Sequence, residues 1–204
     1  MTQHRLALLL AALAALAGCT APTTAKPPGK LIAHAYNSGF ALAHDTYNGM
    51  GTGSDGNIYY VLSTEPHDAA AQMYVFEPAG ARIRHLGDLT AASGEKGKQL
   101  IAQGKSHVNF VEAGGKLYFA THIGYYSIID DMEKMGTPPP GWGKYAGGHL
   151  LAYDMKSGDF ENLALAPGGE GVLVMNMDPQ RGRIYGLTWP TGRFFHFDLK
   201  TRQL

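Results

Sequence analysis

His107, His122 and His149 fall in a stretch of chain that also holds Lys105, Tyr125 and Tyr126, with Trp189 and Arg193 further on. Imidazole gives or takes a proton near neutral pH. A tyrosine acts as acid or base when a neighbouring cation lowers its pKa. Lys or Arg neutralises a carboxylate through a charge-assisted pair, and an indole offers a flat apolar face to a sugar ring. Together these are the parts for β-elimination from a uronic-acid polysaccharide. One group neutralises the carboxylate, a second removes the C5 proton and a third protonates the leaving oxygen. In that scheme His107, His122 and Tyr126 are the candidate catalytic residues, and Tyr125, His149, Trp189 and Arg193 the candidate substrate-binding residues. The same set would hold a sugar or another small polar ligand without any reaction.

Other chemistries find less support. The three histidines are 15 and 27 residues apart, which fits no compact zinc motif, so neither a metal nor a cofactor is expected. Gly168-Gly169-Glu170-Gly171 lacks the strand-to-helix context of a phosphate loop, and no Gly-x-Ser-x-Gly elbow occurs. Basic and acidic residues balance at 17 each, with no basic run, so nothing points to nucleic acid.

What positions these residues is a repeat. Gly56-Asn-Ile-Tyr-Tyr-Val-Leu-Ser-Thr64, Gly115-Lys-Leu-Tyr-Phe-Ala-Thr-His122 and Gly182-Arg-Ile-Tyr-Gly-Leu-Thr-Trp189 share one pattern. Each is a turn glycine, a polar residue, an aliphatic, then Tyr and a β-rich run, which predicts a strand entered from a tight turn. A second strand follows each, at 72–77, 149–154 and 194–198, and a third follows two of them, at 83–86 and 160–163. Apolar strands precede the glycine turns, clearest at 108–112 and 172–176. Tyr59, Tyr118 and Tyr185 recur at one register and are expected in the core. Asp154 and Asp198 open Asp-x-x-Ser/Thr turns and are expected to hold backbone N–H groups.

Four antiparallel strands in roughly 60 residues is the plan of a β-propeller blade. The expected fold is therefore all-β, with propeller-like repeats of four-stranded antiparallel blades at about 36–90, 106–166 and 170–204. The phrases around residues 115–122, 147–158 and 182–201 resemble blade sequences of bacterial propeller enzymes and sensors. The candidate site set is similar to that of propeller-fold polysaccharide lyases of the ulvan and oligogalacturonate type. That resemblance implies an acidic glycan as partner. About three blades are expected and the third is incomplete, whereas a closed propeller has at least about four. A fragment of a longer propeller, a truncated and inactive relic of one, and a chain whose copies associate to close the ring all fit, the fragment being the favoured expectation. Strand alternation sends His107, His122 and His149 to one end of the second blade. The segment 89–105 interrupts the strands with a short helix, and 124–147 is expected as a long loop at the site end.

The N-terminus reads differently. Arg5 precedes an apolar run from Leu6 to Leu16. Eleven residues span about 16 Å as a helix, too short for a bilayer core. Leu16-Ala17-Gly18-Cys19 resembles the lipobox of bacterial lipoproteins, which implies a signal peptide over 1–18 and acyl chains, palmitate among them, on Cys19. Cys19 is the only cysteine, so no disulfide forms within the chain. The linker 19–35 is rich in Pro and Thr. Thr20, rather than Asp, after the cysteine implies by the same resemblance an exported protein anchored to the outer membrane on its periplasmic side or surface.

Overall fold

The computed structural model describes Gly29 and residues 32–204. The expected signal peptide, the lipidation site Cys19 and most of the linker lie outside the described residues. The chain divides into a short N-terminal unit ending at Ala35 and a second unit, Tyr36–Leu204. The described residues of the first carry no regular secondary structure.

The second unit is all-β, built from successive antiparallel meanders. Strands β1 (Met50–Thr52), β2 (Ile58–Leu62), β3 (Gln72–Glu77) and β4 (Arg82–Asp88) form the first sheet in that order. A single helical turn, α1 (Leu89–Ala92), comes next, capped by Asp88, whose carboxylate accepts the Ala91 N–H. The second sheet takes β5 (Val111–Ala113), β6 (Lys116–Ala120), β9 (His149–Asp154) and β10 (Phe160–Leu165). Between its second and third strands lies a separate hairpin, β7 (Tyr126–Ile129) with β8 (Met132–Met135). The third sheet holds β11 (Gly171–Asp178), β12 (Arg183–Trp189) and β13 (Phe194–Asp198), and past β13 a single bridge joins Asp198 to Gln203.

The three glycine-initiated segments become β2, β6 and β12, the second strand of each sheet. None pairs with another. The strands predicted to come after them match β3, β9 and β13 residue for residue. The turns behave as their residues require. Asp154 Oδ1 accepts the N–H groups of Lys156 and Ser157, and Asp198 Oδ1 those of Lys200 and Thr201. These bonds hold both carboxyls below the usual carboxylate range.

Two expectations are corrected. The expected strand at 108–112 begins only at Val111. Phe110 donates its backbone N–H to the carbonyl of Met50 in the first sheet instead, so this stretch joins two sheets before it enters one. The stretch 124–147 is not simply a long loop. Asp130 and Asp131 both take positive φ, 53° and 58°. Two such residues make the two-residue turn whose twist suits a hairpin, and aspartate tolerates that conformation better than most residues.

The main core lies between the sheets, with Val61, Met73 and Val75 from the first, Leu117, Phe119, Leu150 and Leu151 from the second, and Ile184 and Phe197 from the third. A smaller cluster of Ile101, Ile123 and Tyr145 is packed by Tyr125, Tyr126, Met135 and Trp189. It seats the hairpin and brings the site residues together. No helix among the described residues is long and apolar enough to cross a membrane.

Candidate functional site

The site grows from the end of β6. Past Ala120 the chain keeps an extended path because Thr121 donates to the His149 carbonyl, and His122 exchanges backbone hydrogen bonds with Lys105 in both directions. That bridge delivers Lys105, His107 and His122 to one place. The rings of His107 and His122 meet edge to face with centroids 4.5 Å apart. Trp189, from the end of β12, lies 5.6 Å from the His122 ring and 5.5 Å from that of Tyr126. Tyr47 stacks on His107 at 4.8 Å.

His122 is 2 % exposed. Its Nδ1 lies 2.8 Å from the Ile123 carbonyl and 3.2 Å from the Tyr126 hydroxyl, which itself donates to that carbonyl. Its ring packs against Gly171, where a Cβ would come within 2.7 Å of the ring. His122 is thus a wedge between the second and third sheets. Burial carries it down from 6.5 to about 3, and burial with the nearby Lys105 charge carries His107 down to about 4. Burial raises the Tyr126 phenol. The two imidazoles are therefore neutral at neutral pH and too weakly basic to take a carbon-bound proton with efficiency.

Lys105 supplies the positive charge. Its side chain is almost wholly buried, with Nζ 2.8 Å from Asp45 Oδ2, 3.7 Å from Glu65 Oε1 and 4.8 Å from the centre of the Tyr126 ring. The hydrogen bond from Lys105 holds the Asp45 carboxyl below its ordinary range, against burial. His44 Nδ1 sits 3.3 Å from Glu65. His44, Asp45 and Glu65 are close enough to share a metal, their donor atoms lying within 4.8 Å of one another. The Lys105 ammonium already supplies the cation beside two of them.

Beside this cluster opens a cleft of about 630 Å³, lined by Leu42, His44, Glu65, Tyr125, Tyr126, Ile128 and Glu133 among others. Its wall sets Tyr125, Tyr126 and the carboxylates of Glu65 and Glu133 among aliphatic residues such as Leu42, Pro66 and Ile128. Tyr125 is braced from behind by His67, whose ring also meets Trp142 edge-on at 4.8 Å.

His149 and Arg193 are placed elsewhere. His149 starts β9 at the same end of the sheet, but its ring bonds Glu95 at 2.8 Å and Asn162 at 3.1 Å. Gln103 completes that buried network, donating to Glu95 and the Gly147 carbonyl and accepting from Thr121 and Tyr145. Every side-chain polar group of Gln103 is used, which ties 93–105 onto the second sheet. Arg193 lies beside Gly168, with Nε 3.6 Å from Glu170. Burial pushes the Glu170 carboxyl up, but bonds from the hydroxyls of Thr188 and Thr191 outweigh it and hold it low. The structure therefore gathers His107, His122, Tyr126 and Trp189 with Tyr125 on the adjoining cleft, and leaves His149 and Arg193 in separate networks. Residue type and spacing passed over Asp45, Tyr47, Glu65 and Glu133. Asp45 sits directly after His44, but nothing in its spacing points to Lys105, 60 positions on.

No protein-family profile matches the chain, and no curated protein matches it. Among solved structures it is similar to an auxiliary nutrient-binding protein from Bacteroides thetaiotaomicron, with 12% identity and a TM-score of 0.42 over 76% of this chain and 29% of that one. It is also similar to a 6-phosphogluconolactonase candidate from Bacteroides uniformis, with 12% identity and a TM-score of 0.25 over 73% of this chain and 55% of that one. The chain thus spans less than two thirds of either neighbour.

Proposed function

We propose that this chain is an exported, lipid-anchored protein whose sheets are blades of a β-propeller, and that the cleft beside Tyr126 binds a hydroxyl-rich ligand, a saccharide, without cleaving it. The observation that carries this reading is the cleft wall. Tyr125 and Tyr126 offer aromatic faces, and Glu65 and Glu133 offer carboxylate oxygens that accept from hydroxyl groups. The same carboxylates repel a uronate, which favours a neutral or amino-bearing sugar over the acidic glycan that the lyase resemblance implies. Elimination finds little support in the surroundings of its candidate base. His122 is packed against Gly171 and becomes a cation only near pH 3. The lipid anchor rests on Leu16-Ala17-Gly18-Cys19 and the apolar run before it.

Calorimetric titration against a panel of neutral, amino-bearing and uronate oligosaccharides tests the proposal. Binding of a neutral or amino sugar is expected, weakened about tenfold or more by Tyr125→Ala. Absorbance of an unsaturated product with any uronate polymer would overturn the non-catalytic reading. No heat with any member of the panel would overturn the saccharide.

A further inference from the structure

Tyr47 is 56% exposed, yet its ring is held in place. One face lies on His107, with centroids 4.8 Å apart and 28° between the planes. The Lys105 ammonium sits 5.8 Å from the centre of the ring. The Asp45 carboxylate beside its hydroxyl raises the phenol above its ordinary range, and Asp45 is itself fixed by Lys105 at 2.8 Å. A surface tyrosine without such partners keeps its rotamer freedom, and fixing it costs entropy. Here the ring is fixed while much of it faces solvent. A fixed, exposed aromatic face suits a stacking ligand, because the ring is ordered before the ligand arrives.

The ring is also tied to the cleft. His107 meets His122, His122 meets Trp189, and Trp189 meets Tyr126, with centroids 4.5, 5.6 and 5.5 Å apart. This aromatic arc is buried at His122 and surfaces at its two ends, at Tyr126 on the cleft wall and at Tyr47. A shorter link runs through Lys105, whose ammonium lies 4.8 Å from the centre of the Tyr126 ring and 5.8 Å from that of Tyr47. The two tyrosines therefore flank one buried charge. Beside that charge the Asp45 side chain keeps 36% exposure, and its carboxylate accepts from hydroxyl groups as Glu65 does. Trp189, the expected stacking residue, packs within the arc instead, against Tyr126 and His122.

We propose that the outer face of Tyr47 is a second stacking subsite, and that the ligand is an oligosaccharide of at least two rings. One ring lies on the tyrosines of the cleft and another on Tyr47, with Asp45 accepting a hydroxyl between them. This deepens the saccharide reading of the cleft and rests on it. A sugar ring has an apolar face of C–H groups and an edge of hydroxyls, so an aromatic platform beside a carboxylate matches both. The subsite also gives Tyr47 a role that residue type and spacing do not suggest. Tyr47 precedes β1 and His107 precedes β5, and they meet only when the first sheet packs beside the second.

Cello-oligosaccharides and chitosan oligosaccharides of one to six rings are the probes. They are titrated into the full chain in detergent by calorimetry, with NMR shift titration for the weak short members. In a series that binds, affinity is expected to rise about tenfold from the one-ring to the three-ring member. Tyr47→Ala should flatten that rise. Tyr47→Phe should keep it, because the ring and not the hydroxyl makes the contact. Circular dichroism of both variants should match that of the unaltered protein. The subsite would be overturned by an affinity that does not depend on length, by a length dependence that survives Tyr47→Ala, or by one that Tyr47→Phe abolishes. In each of these cases sugar still binds and the reading of the cleft stands. Absence of binding by every member of both series overturns that reading, and the subsite with it.

Discussion

The burial of His122 makes stability depend on pH in a definite direction. In the unfolded chain its imidazole takes a proton near 6.5, and in the folded protein only near 3. Between those values the unfolded state binds more protons, so folding stability is complete above about pH 6.5 and is lost as the pH falls toward 3. Lowering the pH from 8 to 5 should cost about 2 kcal/mol through this one ring, the free energy of protonating it in the unfolded chain alone. His107, carried down to about 4, acts in the same direction, and together the two rings should cost up to about 4 kcal/mol. Asp45 and Glu170 are held low, so their stabilisation is lost only below the ordinary carboxylate range and contributes little at pH 5. Urea unfolding monitored by circular dichroism at pH 8, 7, 6 and 5 measures the slope. His122→Gln should be less stable at pH 8, yet lose about 2 kcal/mol less than the unaltered protein on going to pH 5. Parallel pH profiles for the two proteins would refute the reasoning, as would an NMR titration that places His122 above pH 5.

Two further outcomes rest on single residues. Gly171→Ala puts a methyl group 2.7 Å from the His122 ring; such overpacking should cost about 1–3 kcal/mol and lower the melting temperature by roughly 3–10 °C, read by calorimetry. Cys19→Ser should move the protein from the membrane to the soluble fraction of cells, and mass spectrometry of the unaltered N-terminus should find a diacylglyceryl group on Cys19.

Much of the fold could be read from the chain because its signals are local. A glycine turn leading into an aliphatic, Tyr and a β-rich run defines a strand within eight or nine residues, and β2, β6 and β12 appear where that pattern stands. Asp154 and Asp198 cap their own turns through bonds two and three residues away. Strand alternation also carried His107, His122 and Trp189 to a common end. What lay beyond the sequence are contacts decided by neighbours far along the chain. Lys105 finds Asp45, His149 turns to Glu95, and Arg193 settles beside Glu170. Residue type says that a histidine can carry a proton. Only the packing of Gly171 against its ring, a meeting of two sheets, makes His122 a neutral wedge, because the cost of charging an imidazole depends on how much water the assembled structure leaves around it.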